Sequence, residues 1–297
     1  MSIPALSVVV ASVNGAGALQ RCLRSLESGA EPIEVIVVAD SGGAAQAGEI
    51  AGRVPGTDVV RLEGRRTIPE LRSVGIRRAR AAVVAILADY YAADWRWPAA
   101  VLSSHRRHPG AAIGGAVENG GPDRIVDWVA YLTEYARFML PFEECPSTEL
   151  AGPNASYDRV MLERECSDLL DRGAWDHVVH ERLAARGVPL WRDPSIVAFY
   201  GKRLTAAEFL QQRYRFGRSY AAARALPSGR RALLAAAAPA VVVLQLWRIA
   251  SRLLASPRTR RWLVPGAPLF VLSAIAWSAG ESAGYALGDG SASLAVR

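Results

Sequence analysis

A continuous apolar run, Ala81 to Ala88, that stops at a single acid, Asp89, constrains this chain more than any other stretch. The run is too short to cross a membrane and rich in β-branched residues, so it reads as a strand buried on both faces, as in a parallel sheet. It belongs to a longer unit, Leu71 to Trp97. That unit begins as a helix, with Leu71, Val74, Gly75 and Ile76 interleaved with Arg72, Arg77, Arg78 and Arg80. An acid at the carboxyl end of a parallel strand sits where open α/β sheets bind ligands. Asp is also a common turn residue, and position alone leaves both readings of Asp89 open.

The preceding residues repeat the pattern. Leu6 to Ser12 reads as a first strand, Asn14 to Gly17 as a turn, and Ala18 to Ser28 as a helix with Leu19, Cys22, Leu23 and Leu26 on one face. Glu34 to Ala39 is a second strand ending at Asp40. Ala44 to Arg53 is a second helix and Asp58 to Leu62 a third strand. This alternation predicts a doubly wound α/β sheet. Its loops after Ser12, Ala39 and Ala88 converge on one edge and carry Asn14, Asp40 and Asp89, the default ligand site of such a sheet.

Composition narrows the surroundings. The 297 residues suffice for one large domain or two. Net charge is +7, and Lys202 is the sole lysine among many arginines. From Lys202 to Trp262 the only acid is Glu208, and a basic segment beside apolar runs points to an anionic membrane surface. No nucleic-acid motif is present, and nucleic acid is not expected as a partner. Cys22, Cys145 and Cys166 form no CxxC and no metal spacing, so they read as reduced thiols. The opening MSIPALSVVVASVNG lacks a charged leader and reads as the first strand rather than a signal peptide.

The order of parts resembles the family-2 glycosyltransferases, which have the GT-A nucleotide-sugar-binding fold. VVVASVNGAGALQRCLRSL resembles their first strand, loop and helix. VIVVADSGG resembles the second strand, and LRSVGIRRARAAVVAILADYY the helix and strand that lead to the DxD metal motif. The resemblance implies that Asp40 contacts the nucleoside, that Arg72 lies near the diphosphate, and that Asp89 is the middle acid of the metal motif, with Mg2+ or Mn2+ as the divalent cation. Ala88 and Tyr90 stand where the family has flanking acids, with Asp94 the next acid on. LADYYAADW is closer to a variant subgroup (an acid, Asp, His, then an aromatic-rich stretch ending in Trp). AAIGGAVENGG, DWVAYLTEY and GPNASYDR fit the same subgroup.

Asn154 falls in the family's G.N segment, which lines the acceptor side; a turn amide is the alternative. Residues 172–187 resemble the family's ED…RL…G segment, whose Asp is the general base; counting back from Arg182-Leu183 and forward to Gly187, the resemblance implies that role for Asp176, with Trp175 replacing the usual Glu. Glu181 is the fallback base. His177 and His180 read as helix-surface or packing residues, since no third ligand accompanies them. Ala111 to Val117 is a further strand, and Glu118 reads as a hairpin-end acid in a turn running to Gly121. Trp128, Tyr131, Leu132, Tyr135 and Phe138 form a stripe on a helix from Asp127 to Leu140 that reads as core. Val188 to Tyr200 reads as strand, turn and strand.

Thr205 to Ala225 is an amphipathic basic helix, with Thr205 and Glu208 at capping-box spacing. Its QRYRF resembles the QxxRW motif of membrane-bound members, which implicates Gln212 and Arg215. Ala232 to Trp247 is apolar but short and contains Pro239. Trp262 to Gly280 is longer and is the better spanning candidate, with Glu281 at its boundary. Arg248, Arg252, Arg258, Arg260 and Arg261 lie between the two, and the positive-inside rule keeps them cytoplasmic. That makes the first segment re-entrant or interfacial and leaves one or two spans.

The expected architecture is therefore α/β, a GT-A-type doubly wound mixed sheet over residues 1–203. An amphipathic basic interface helix (204–230) and a C-terminal membrane segment (231–297) follow. The expected function is inverting transfer of a sugar from a nucleotide-sugar donor to a lipid-linked or cell-envelope glycan acceptor. The expected place is the cell membrane, with membrane lipids as partners and the catalytic domain facing the cytoplasm. A second reading, of a different class, is a catalytically degenerate glycosyltransferase-like membrane scaffold or binding protein. A nucleotidyltransferase lacks support, because SVNGAGALQ carries no base before Arg21.

Overall fold

A computed structural model describes residues 4–27, 32–52, 54, 56–121, 124–224 and 226–296. Ser28, Arg53 and Ala225, which periodicity assigned to helix ends, lie outside the described residues. The chain forms two compact units. One comprises Met1–Gly120 and Phe138–Gly201, the other Gly121–Arg137 and Lys202–Arg297.

The first unit opens with β1 (Leu6–Ser12), α1 (Ala16–Leu26), β2 (Ile33–Ala39), α2 (Ala44–Ala51), β3 (Thr57–Arg61), α3 (Ile68–Arg78) and β4 (Val83–Leu87). β5 (Tyr91–Ala93), α4 (Trp97–Arg107) and β6 (Ala112–Asn119) follow. The chain then supplies α5 (Ile125–Tyr135) to the second unit. It returns as β7 (Cys145–Pro146), β8 (Asn154–Asp158), α6 (Arg159–Asp171), α7 (Asp176–Ala185) and β9 (Leu190–Tyr200). These strands make one mixed sheet, ordered β3-β2-β1-β4-β8-β6-β9-β5, with β7 on β9. β1 to β4 are mutually parallel, and antiparallel β8 turns the sheet over between β4 and β6. β1 is buried at every position, which is why it is apolar without alternation. Gly75 lets α3 lie close on β1: a Cβ there would come within 2.3 Å of Val9 Cγ1.

Three local expectations change. Val188 to Tyr200 holds a single strand, β9, not strand, turn and strand. Its register on β6 jumps from Asp193 to Val197, so Pro194, which has no N–H to give a ladder, falls in a bulge closed by Asp193 accepting from Ser195. Glu118 is no hairpin end: it lies within β6, which pairs parallel with β9, and accepts the Leu140 N–H. The helix before β4 begins at Ile68, earlier than Leu71, because Thr67 and Glu70 form a capping box with Pro69 in the first turn.

In the second unit α5 is joined by α8 (Ala206–Ala223), α9 (Ser228–Ala236), α10 (Ala238–Leu254), α11 (Pro257–Arg260), α12 (Leu263–Leu287) and α13 (Ala292–Ala295). Thr205 and Glu208 cap α8 reciprocally, as their spacing predicts. The apolar run from Ala232 is broken at Ala237, where α9 and α10 meet at a 63° bend. Pro239 sits in the first turn of α10, where a missing N–H is tolerated, but a helix running through from α9 would clash with its ring. Among the described residues α12 is the one unbroken helix long and apolar enough to cross a membrane. α8 and α12 touch backbone to backbone through Gly217, Gly280 and Gly284. A Cβ on any of these would lie 2.0 to 2.3 Å from a carbonyl oxygen of the facing helix.

Candidate active site

The parallel strands β1, β2 and β4 end together, and each acid at that edge has a defined set of donors. Asp89, one residue beyond Ala88, is 1 % exposed. Its Oδ2 accepts the N–H groups of Val13 and Asn14, both at 2.7 Å, and its Oδ1 accepts Asn14 Nδ2 at 2.7 Å. Asp89 thus fastens the loop after β1 to the end of β4. Asp40 is equally buried. It accepts N–H groups from Gly42 (2.9 Å) and Arg66 (3.1 Å), and Arg65 Nε stands 3.8 Å away. It joins the loop after β2 to the loop before α3.

These residues do not by themselves form a seat for a resident divalent cation. Asp89 is the one carboxylate of the expected metal motif, both its oxygens already accept N–H bonds, and Ala88 and Tyr90 add none. Among the described residues no group of three His, Cys, Asp or Glu side chains is arranged to hold a metal ion. Mg2+ is commonly held by one or two carboxylates together with a substrate's phosphates, so Asp89 would hold such an ion only alongside the diphosphate of a donor, and no step here is routed through one.

The chemically distinctive contact lies between α3 and α7. Arg72, buried on α3, places Nη1 2.5 Å from Oδ2 of Asp176, the first residue of α7. Two glycines make the meeting possible. Gly173 turns the chain from α6 into α7 at φ +59, where an L side chain is strained, and presses on the first turn of α3. A Cβ there would lie 3.0 Å from the Glu70 backbone nitrogen. Gly152 leaves room for the carboxylate itself: its Cβ would fall 2.0 Å from Asp176 Oδ2. The GPN segment is therefore molded around Asp176.

Burial opposes ionisation of Asp176, but the Arg72 guanidinium outweighs it and holds the carboxyl below its usual range. A position at a helix N-terminus favours the same charge. Asp176 is an ionised carboxylate at neutral pH, with a side chain about a quarter exposed, able to accept a proton. Behind it Tyr157 of β8 and His180 of α7 share a 2.8 Å hydrogen bond. Burial pushes His180 down to about 4 and the Tyr157 hydroxyl up, so both are neutral. His180 is thus a packing residue, as its spacing predicts, although it is buried rather than at the helix surface.

Asn154 opens β8 and is 1 % exposed. Its Oδ1 accepts Trp97 Nε1 at 2.8 Å, and its Nδ2 donates to Ala116 O at 2.9 Å and Ile196 O at 3.2 Å. Both ends of the amide are engaged in joining α4, β6 and the β9 bulge. Gln212 and Arg215 lie on α8 of the second unit, where Arg215 donates to the Ala295 carbonyl at 3.2 Å. The buried cation of that motif is Arg213, 3.8 Å from Glu134 and stacked 4.3 Å from the Trp277 ring. The structure therefore brings Asp40 and Asp89 to one edge and pairs Arg72 with Asp176. The Tyr157–His180 pair and the glycine contacts had no sequence signal, whereas the T-x-x-E spacing at Thr67 did.

A family model described as Glycosyl transferase family 2 matches residues 7–164. No curated protein matches. Among solved structures, one similar chain is described as mannosyltransferase PcManGT from Pyrobaculum calidifontis in complex with GDP-Man and Mn2+. It has 17% identity and TM-score 0.57, over 97% of this chain and 88% of that one. Another is GalNAc-T7 with UDP, GalNAc and Mn2+, at 16% identity and TM-score 0.52, over 68% of this chain and 44% of that one.

Proposed function

The chain belongs to glycosyl transferase family 2, a glycosyltransferase of GT-A-type fold, and from that membership we propose that it performs an inverting transfer with Asp176 as base. The donor is a nucleotide sugar. The acceptor is a lipid-linked or cell-envelope glycan, met at the cytoplasmic face of the cell membrane. The Arg72–Asp176 pair carries this reading.

As the acceptor hydroxyl attacks C1 of the sugar, its proton passes to Asp176 Oδ2. The bond from C1 to the phosphate oxygen breaks, and the nucleoside diphosphate leaves. Arg72 has two roles in sequence. Paired with Asp176 it keeps the carboxylate ionised and weakly basic. Turned toward the diphosphate it stabilises the leaving charge, and Asp176, relieved of its cation, becomes the stronger base. Asp40 holds the nucleoside side of the site. Asp89 shapes the loop after β1, and Asn154 sets the acceptor-side segment through Trp97 and the β9 bulge. Gln212 and Arg215 are proposed as donor-site residues on their resemblance to the QxxRW motif. The apolar α12 and the basic residues of the second unit support membrane attachment.

The test uses full-length protein and a panel of nucleotide sugars, following sugar transfer and, separately, nucleotide binding. Asp176→Asn is expected to bind nucleotide and fail to transfer. Transfer at the wild-type rate by Asp176→Asn overturns the assignment, and absence of nucleotide binding by folded wild type returns the scaffold reading.

A further inference from the structure

The apolar surface of the second unit is organised rather than scattered. On α12, Val264, Val271, Leu272 and Ile275 are 40 to 81% exposed and follow one another at helical spacing, opposite the packed face of Phe270, Ala274 and Ser278. On α10, which packs on α12, Val243 and Trp247 are exposed by two thirds. Contiguous exposed apolar side chains of this size mark a protein or membrane contact. Arg248 and Arg252 on α10, and Arg258, Arg260 and Arg261 before α12, edge this surface with cations and no acid. An apolar face edged by arginine fits an anionic lipid leaflet.

By length α12 reaches across a bilayer. Its 25 residues extend about 37 Å at ~1.5 Å per residue, against a hydrocarbon core of ~30 Å. Its neighbour argues against crossing. α8 runs beside the carboxyl-terminal part of α12, with Gly217 against Trp277, Gly280 against Tyr214 and Gly284 against Arg218. From Trp277 onward α12 therefore shares its depth with charge. Arg213 and Glu134 lie at the level of Trp277, Glu281 accepts Trp277 Nε1 at 3.0 Å, and Arg224 donates to Tyr285 Oη at 2.8 Å. Charges at that density are costly to place in hydrocarbon. The remainder, Leu263 to Ala276, spans about 21 Å at ~1.5 Å per residue, too short to cross.

Resting on the membrane attachment proposed above, we infer that the second unit is a monotopic anchor. Its α10 and α12 faces are immersed in one anionic leaflet, and neither α12 nor the bent α9–α10 pair crosses. The two ends of α12 then lie on the same side of the membrane as the catalytic unit. This differs from the single span that hydropathy favours for Trp262 to Gly280.

The test is side-specific labelling of full-length protein in right-side-out and inverted vesicles, with a membrane-impermeant maleimide. Pro257→Cys and Ser291→Cys flank α12 at exposed positions. They are made in a Cys145→Ser background, with Cys22 and Cys166 buried. Both sites are expected to label from the same face, the face from which Cys145 labels in the parent. Labelling of 257 and 291 from opposite faces overturns the monotopic anchor while leaving membrane attachment intact. Recovery of the protein in the soluble fraction, with no binding to phosphatidylglycerol vesicles, overturns both. Arg248→Gln with Arg252→Gln is expected to lower partition onto those vesicles by about fivefold per arginine. Unchanged partition overturns the anionic part of the proposal.

Discussion

The two edges of the parallel sheet use buried carboxylates in opposite ways. At the amino edge Glu34 accepts from Ser7 Oγ at 2.6 Å, from the Arg80 N–H at 3.0 Å and from Arg80 Nε at 2.5 Å, while Ser7 Oγ accepts the Ala81 N–H. That network ties β1, β2 and the entry to β4 together. Burial opposes the charge on Glu34, and its donors outweigh burial and hold the carboxyl below its usual range. At the carboxyl edge Asp176 has the same electrostatic outcome from a single side-chain cation, Arg72, and a partly open face. An ion surrounded by fixed backbone donors is scaffold. In the mechanism proposed above, an ion whose partner a phosphate claims is a reagent.

Substitutions that exchange these behaviours test the contrast. Asp176→Asn is expected to lower transfer by about a hundredfold to ten-thousandfold, the usual range for a lost general base, with nucleotide binding kept. Glu34→Ala is expected to do the reverse: about 2 kcal/mol of stability is lost in denaturant melts, from orphaned donors, while kcat/KM of the folded fraction is unchanged.

Acid sharpens the comparison at β8, whose successive residues Ser156 and Tyr157 each hold a buried histidine, His105 and His180. Burial lowers both to about 4, so the unfolded chain binds more protons between pH ~6.5 and ~4. Their contribution is fully present above pH ~6.5 and declines by up to about 1.4 kcal/mol per histidine per pH unit as acid is added. His180→Gln is expected to flatten that slope in pH-dependent melts. The Arg72–Asp176 pair contributes on the same acid-sensitive side but is lost only lower, as pH falls through the depressed carboxyl pKa. Thr67→Ala is expected to cost about 1 kcal/mol through the lost cap of α3. Smallest of all, a chelator is expected to leave nucleotide binding nearly unchanged, measured by calorimetry with and without Mn2+; strong metal dependence would give Asp89 a ligand role its three donors argue against.

The strands of the parallel half were legible because burial on both faces imposes apolar runs, and β1 falls at Leu6–Ser12, as its run predicts. β9 was less so, because Pro194 reads as a turn and only the partner strand shows that it is a bulge. Asp176 was singled out by its resemblance to a family segment aligned on Arg182 and Gly187, a local relation within α7 and just past its end. Its pairing with Arg72 links residues 104 apart in sequence and depends on Gly152 and Gly173, whose value lies in the side chain they lack. Asn154 was legible as a residue of note but not in its role, since its three partners come from three different elements.

The turn at Gly173 has a mechanical consequence. Because it bears on the first turn of α3, the helix carrying Arg72 and the helix carrying Asp176 share one mounting. Displacements of the surrounding sheet reach both helices in common mode, and the separation of the two helices is the quantity least disturbed. A reaction in which a guanidinium turns from a carboxylate to a diphosphate gains, from helices on a shared base, a tolerance to breathing elsewhere that tight packing of either residue alone would not supply.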